Sequence, residues 1–205
     1  MKLTVFGATG RTGREIVRRA LQDGHQVTAL VRRPQAMRPQ PGLTVVEGDA
    51  RDAAAVAQVI AGAGAVVSAL STGNTTTLTQ ATAAIIAGMH AHGVSRIVTI
   101  GTAGILQSRT EPESLRYQSG ESRRTQVFPA QEHHRAYQML RASGLAWTVV
   151  CPTSLPEGDA VGGYRTELDY LPVDGRQIST GDTAAFAYAE LLGAQHVGHR
   201  VGIAY

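Results

Sequence analysis

The chain has 205 residues, 43% of them apolar and 17% charged, with a formal net charge of +3, one Cys and one Trp. This is the profile of one compact globular domain over residues 1–205; a lone Cys excludes an internal disulfide framework and a Cys-based zinc site, and makes a reducing cytoplasm the expected compartment. No apolar run approaches the roughly 18 to 20 residues needed to cross a bilayer, and Met1–Phe6 leads into a glycine loop without a signal-peptide layout, so neither membrane insertion nor export is expected.

The predicted elements alternate along the chain. Lys2–Phe6 reads as a short apolar strand, followed by Gly7-Ala8-Thr9-Gly10-Arg11-Thr12-Gly13 and a helix with Ile16, Val17, Ala20 and Leu21 on one face, stopped at Asp23-Gly24. Gln26–Val31 and Leu43–Glu47 are the next strands, separated by the polar, proline-punctuated stretch 32–42. Asp52 caps an Ala-rich helix to about Ala61; Ala65–Leu70 is a strand, Thr75–Ala91 a helix and Arg96–Gly101 a fifth strand. Periodicity then lapses over 102–129, a polar stretch long enough to be a lid. Gln131–Ser143 is helical, Leu145–Cys151 is a sixth strand, 152–177 is a second irregular region, Thr180–Leu192 is a helix with Asp182 in its first turn, and a last strand lies around Arg200–Ala204. Strands alternating with helices predict an α/β fold, a Rossmann-like doubly wound parallel sheet with small C-terminal substrate-side loops.

Of the 19 basic residues only Lys2 is a lysine. A Walker-type phosphate loop, a Schiff base and a Tyr-x-x-x-Lys proton relay all need a lysine, and Lys2 sits at the start of an apparent buried strand. The arginines are spread along the chain and aromatics make up only 5%, so no basic, aromatic-interleaved face for nucleic acid is expected.

Gly7, Gly10 and Gly13 recur every third residue between a strand and a helix. The first allows a tight turn, the second a close approach of backbone to phosphates, and the third close packing of helix on strand, while the helix start offers free amides to a pyrophosphate. Thr9 and Thr12 add hydroxyl donors. An NAD site usually carries an acidic residue at the end of the second strand; here that place holds Arg32 and Arg33, whose guanidinium groups suit a 2′-phosphate, and NADP(H) is the expected cofactor. Asp49, after the third strand, is placed either to meet the adenine or to cap the next helix. Ala69 and Leu70, closing the fourth apolar run, are counted with the cofactor-binding candidates.

Chemistry beyond the cofactor is sparsely marked. Tyr137 is followed at i+4 by Arg141, which cannot relay a proton, so the pair reads more simply as helix neighbours. His133 and His134 titrate in a range suited to proton donation, or else mark an exposed helix start. His90 and His92 lack ligand spacing and no metal site is expected. Cys151 and Trp147 read as core. Leu106, Leu115, Tyr117, Leu155 and Tyr164 are candidates to wall an apolar pocket at the carboxyl ends of the strands.

The stretches Phe6–Gly13, Val27–Arg32, Val46–Asp49, His92–Val94 and Leu140–Leu145 resemble the atypical short-chain dehydrogenase/reductases that bind NAD(P)H, in particular the biliverdin reductase B/flavin reductase type. The resemblance implies NADPH-dependent hydride transfer to flavins, and to quinones or tetrapyrroles, in a monomer or weak homo-oligomer whose partner is a small-molecule acceptor. It further implies that Thr9, Gly10, Arg11 and Thr12 hold the pyrophosphate and Arg32 the 2′-phosphate, that Thr102 stands where the type carries an active-site Ser, and that His133 lies near the nicotinamide. Ser154 stands where the type has a second His, a departure on the acceptor side. A delocalised acceptor takes hydride without a dedicated acid, which suits a chain that lacks the Tyr–Lys relay. A non-catalytic NADP(H)-sensing regulator and a carbonyl- or sugar-active relative are the alternatives.

Overall fold

In a computed structural model, which describes residues 1–122 and 126–205, the strands β1 (Lys2–Phe6), β2 (Gln26–Val31), β3 (Leu43–Glu47), β4 (Ala65–Ser68), β5 (Arg96–Ile100), β6 (Ala146–Pro152), β7 (Arg165–Leu168) and β8 (His199–Ala204) form one sheet in the order β3-β2-β1-β4-β5-β6-β8-β7. All pairings are parallel except β7 with β8. The helices are α1 (Arg11–Gln22), α2 (Ala53–Ile60), α3 (Thr77–Ala91), α4 (Phe128–Ala142) and α5 (Thr180–Gly193). The doubly wound α/β architecture expected from the alternation is therefore present, with one antiparallel edge strand that lies inside the region expected to be irregular. Arg123 and Arg124, in the polar stretch before α4, lie outside the described residues.

Helices α1 and α5 pack together on one face, and α2, α3 and α4 on the other. Each parallel strand feeds both layers, because successive side chains point to opposite faces. In β1, Leu3 and Val5 join the core beneath α1 and α5, while Phe6 joins the one beneath α2 and α3. Ile16 on α1 and Ile85 on α3 are almost fully buried, each such side chain contributing about 1.5–3 kcal/mol relative to exposure. Trp147 and Cys151 are core residues as expected.

Strand order reverses between β1 and β4: the chain winds outward from β1 through β2 to β3, then returns to β4 on the other side. The loops leaving β1 and β4 diverge there and open a crevice at the carboxyl ends of the strands, where open α/β sheets bind ligands. The stretch after β5 is tied down. Ala103–Ile105 forms a short 3-10 helix, Gln107 bridges to Leu115, and the Glu121 carboxylate receives the backbone N–H groups of Arg109 and Thr110 at 2.6 and 2.8 Å and pairs with Arg116.

Candidate functional site

The glycine loop owes its shape to two close approaches. Gly7 has φ +80°, and a Cβ there would lie 2.4 Å from the Ala69 carbonyl oxygen, so the loop leaving β1 presses on the end of β4. A Cβ on Gly13 would lie 2.2 Å from the Gly7 carbonyl oxygen, so the first turn of α1 sits directly on that loop. No side chain caps α1: Gly10 occupies the cap position in extended conformation, leaving the first-turn amides facing the crevice end of the helix.

A cavity of about 190 Å³ opens beside this loop, lined by Gly7, Thr9, Gly10, Arg32, Asp49 and Arg51, with Ala69 and Leu70 forming the wall from β4. The strand register brings these segments together. Val31 of β2 stands opposite Glu47 of β3, and Gly48 donates its N–H to the Val31 carbonyl at 3.0 Å, so Arg32 and the 48–51 segment leave neighbouring strand ends side by side. Thr12 is buried and, like Arg33, does not line this cavity; Arg33 is exposed at the start of the next turn. Arg11 points instead toward the chain after β6, donating to the Leu155 carbonyl at 3.2 Å.

Asp49 does not cap α2; Asp52 does, accepting from the N–H groups of Ala54 and Ala55. Asp49 is instead held by Arg51, whose Nε and Nη2 donate to its two oxygens at 2.9 and 2.7 Å. The side-chain and backbone bonds from Arg51 lower the Asp49 carboxyl to about 2, with Arg32 adding a smaller pull in the same direction. Arg51 was not among the residues singled out from the sequence.

A second, larger cavity of about 480 Å³ lies over the ends of β5 and β6, and it brings Thr102 and His133 together although they are 31 positions apart. Thr102 lies two residues past the end of β5 and its Oγ1 accepts from the Gly104 N–H at 3.4 Å. His133 projects from the second turn of α4. Ser154, Arg116, Tyr117 and Arg176 are among the other residues of its wall. Of the apolar residues expected here only Tyr117 lines the cavity. Leu106 is fully buried among the α2–α4 layer, Leu155 and Tyr164 pack against the α1–α5 core, and Leu115 is held in the bridge to Gln107. The wall mixes polar groups with Val127, Pro129 and Ala130 where the loop leucines were expected, because those leucines are drawn away from the cavity.

Burial pushes the His133 imidazole down from 6.5 to about 4, against the opposing pull of Glu132. The ring is therefore neutral at pH 7 and acts there as a hydrogen-bonding group, not as the proton-donating imidazolium expected from its type. His134 is also lowered, first by burial and then by Arg200 and Arg135, and its Nδ1 lies 3.1 Å from the Tyr117 hydroxyl. Neighbouring Glu132 is fully buried. Although burial works against its charge, the bonds from Arg135 and from Thr79 of α3 hold its carboxyl below the usual carboxylate range. Tyr137 meets Trp147 edge-on and carries the Arg200 guanidinium 4.8 Å above its ring, so its partner is not Arg141. Cys151 is buried and its thiol is pushed up to about 12, mainly by burial. Among the described residues no group of His, Cys, Asp and Glu is arranged to hold a metal ion, and no helix is long and apolar enough to cross a membrane.

A glycine-shaped loop, an uncapped helix start and a basic wall at the strand-order reversal are the features of a dinucleotide-binding protein. Residues 7–193 match the NAD(P)H-binding family, and the chain belongs to that family. It is 29% identical over 210 residues to a (4-alkanoyl-5-oxo-2,5-dihydrofuran-3-yl)methyl phosphate reductase of Streptomyces griseus, covering 98% of this chain and 67% of the relative. A solved structure from Burkholderia pseudomallei, provisionally described as an exported protein, is 30% identical with a TM-score of 0.86 over 100% of both chains. A Streptococcus pneumoniae structure provisionally named an NADH-flavin reductase shares the fold at 24% identity, with a TM-score of 0.81 over 100% of this chain and 99% of its own.

Proposed function

We propose that the protein is an NADPH-dependent reductase that passes hydride to a flavin or a similar planar acceptor such as a quinone or tetrapyrrole. The observation that carries this reading is the placement of two cavities at the carboxyl ends of the strands of one sheet, the smaller built on the glycine loop and the larger holding Thr102 and His133. The nicotinamide of the bound cofactor supplies the hydride. The residues of the smaller cavity fit such a cofactor. Gly7 and Gly10 present backbone to the cavity beside the uncapped start of α1, Arg32 offers charge for a 2′-phosphate, and Ala69 with Leu70 supplies an apolar wall.

In the larger cavity Thr102 and neutral His133 orient an acceptor through hydrogen bonds, and Tyr117 offers it a ring face. Neither Thr102 nor His133 holds a spare proton at pH 7, which favours an acceptor that draws its proton from water. The names of the Streptomyces and Streptococcus proteins support a reductase. The partner is accordingly a small molecule, with neither nucleic acid nor membrane involved.

A second reading, reduction of a small ring carbonyl compound bearing phosphate, is favoured by the Streptomyces relative and by Arg176 in the wall of the larger cavity, where Arg116 is paired with Glu121. Both readings are tested by following NADPH absorbance with FMN, riboflavin, a quinone, biliverdin and a phosphorylated butenolide in turn, with Arg32→Ala alongside. Flavin-dependent oxidation, with the variant losing NADPH affinity, supports the first reading. Turnover of the butenolide alone supports the second. Tight NADPH binding with no turnover on any acceptor identifies a cofactor sensor.

A further inference from the structure

We propose that Arg51 is a specificity-determining residue of the nucleotide cavity, the second arm of a two-arginine clamp on the 2′-phosphate, held in position by Asp49. The inference rests on the cofactor reading above and adds to it a residue that lies outside the Arg32 position.

The two arginines arrive from different strands. Arg32 follows β2 and Arg51 lies four positions past β3, and the parallel register sets these strand ends next to each other at the mouth of one cavity. Arg32 forms no ion pair with any described residue, so its charge is available to a ligand. Arg51 does have a carboxylate partner, and the geometry of that pair is the central observation. Asp49 takes Nε and Nη2 along one edge of the guanidinium, at 2.9 and 2.7 Å, and its Oδ1 also accepts the Arg51 backbone N–H at 2.9 Å. A guanidinium has five N–H donors in a rigid fork, so this leaves both Nη1 hydrogens and one on Nη2 without a described acceptor.

The side chain is half exposed, so those donors are presented to the cavity mouth and not spent within the protein. A single Asp49 carboxylate against two guanidinium groups leaves the rim with surplus positive charge, which suits a dianionic phosphate monoester and not a bare ribose hydroxyl. Asp49 is in this arrangement a positioning residue: it fixes the plane of Arg51, while Oδ1 is saturated by two donors and Oδ2 keeps one lone pair for an adenine amino group.

The test is titration calorimetry of the wild-type protein, Arg32→Ala, Arg51→Ala and Arg51→Lys with 2′,5′-ADP and with 5′-AMP, which need no turnover and differ in the 2′-phosphate. Arg51→Ala is expected to weaken 2′,5′-ADP roughly three- to tenfold more than 5′-AMP, the range for an exposed charge-assisted contact. Arg51→Lys is expected to recover only part of the difference, because an ammonium cannot engage Asp49 and a phosphate along two edges of one plane. Equal weakening of both nucleotides in Arg51→Ala, while Arg32→Ala keeps its selective loss, overturns the clamp and leaves the cofactor reading standing. Failure of the wild-type protein to bind 2′,5′-ADP, NADPH or NADH overturns the cofactor reading and the clamp with it.

Discussion

Thr79 on α3 gives both its backbone N–H and its hydroxyl to one oxygen of the Glu132 carboxylate on α4, at 3.2 and 3.0 Å, while Arg135 holds the other oxygen. Glu132 is fully buried and precedes His133 in the chain, so this tie sets the rotation of α4 relative to α3 and thereby the direction from which His133 enters the larger cavity. Glu132→Ala strands the Thr79 N–H and is expected to cost about 1–3 kcal/mol of folding stability, read by denaturant unfolding. Glu132→Gln keeps an oxygen acceptor for Thr79 and is expected to lose less than the alanine variant. Equal losses from the two substitutions would place the stabilisation in the carboxylate charge and its pairing with Arg135, not in the Thr79 bonds.

The glycine loop yields a steric prediction. Gly13→Ala drives a methyl group onto the Gly7 carbonyl, a backbone atom that cannot step aside, and is expected to cost about 3 kcal/mol, lowering Tm by roughly 6–12 °C. The same variant is expected to lose NADPH affinity, since any relief of the clash displaces the loop. A thermal melt unchanged within about 1 °C would contradict the close approach of α1 to the loop.

His133 makes folding sensitive to acid. Its imidazole titrates at about 4 in the folded chain and near 6.5 when exposed, so between these values the unfolded state binds the extra proton. Stability therefore rises with pH across that window and is lost as pH falls through it, with a slope of up to about 1.4 kcal/mol per pH unit from this group. Denaturant melts at pH 7, 6, 5 and 4 for wild type and His133→Asn measure the difference, and the variant is expected to show the shallower decline. A parallel decline in both proteins would assign the acid sensitivity to other groups.

Cys151 is expected to stay unmodified by a thiol-specific reagent at pH 8 for as long as the protein remains folded. Its thiol is buried and raised to about 12, so the thiolate is a minute fraction and the reagent has no path to it. Addition of denaturant is expected to release one reactive equivalent. Fast labelling under native conditions would show that the end of β6 opens.

Much of the fold could be read from the chain because β1, β2, β4, β5 and β6 are short, mostly apolar runs with most residues buried, alternating with helical patterns. Strand β7 escaped that reading. Arg165-Thr166-Glu167-Leu168 is a polar edge strand with no buried residue, held by backbone pairing to β8 and by Arg165 guanidinium bonds to the Val173 and Tyr205 carbonyls. The start of α4 was also hidden, because Phe128-Pro129 reads as a breaker although proline is favoured in a first helical turn.

At the site, Gly7, Gly10 and Arg32 were legible from their spacing to strand ends. Arg51 was not, because its place beside Arg32 follows from the pairing of β2 with β3, which no local pattern encodes. Leu106 was misplaced for a related reason. Hydrophobicity in a loop does not distinguish a side chain that walls a cavity from one that closes the core beneath it, and Leu106 does the latter.

The reversal of strand order divides responsibility within the chain. The walls of the nucleotide cavity come from residues 7–77, and those of the larger cavity from residues 102–176. On the proposed reading, divergence in the second half can retune the choice of acceptor while the first half goes on meeting an unchanging nucleotide. The scaffold is thus open to new substrates by exchange of the segments after β5 and β6 alone.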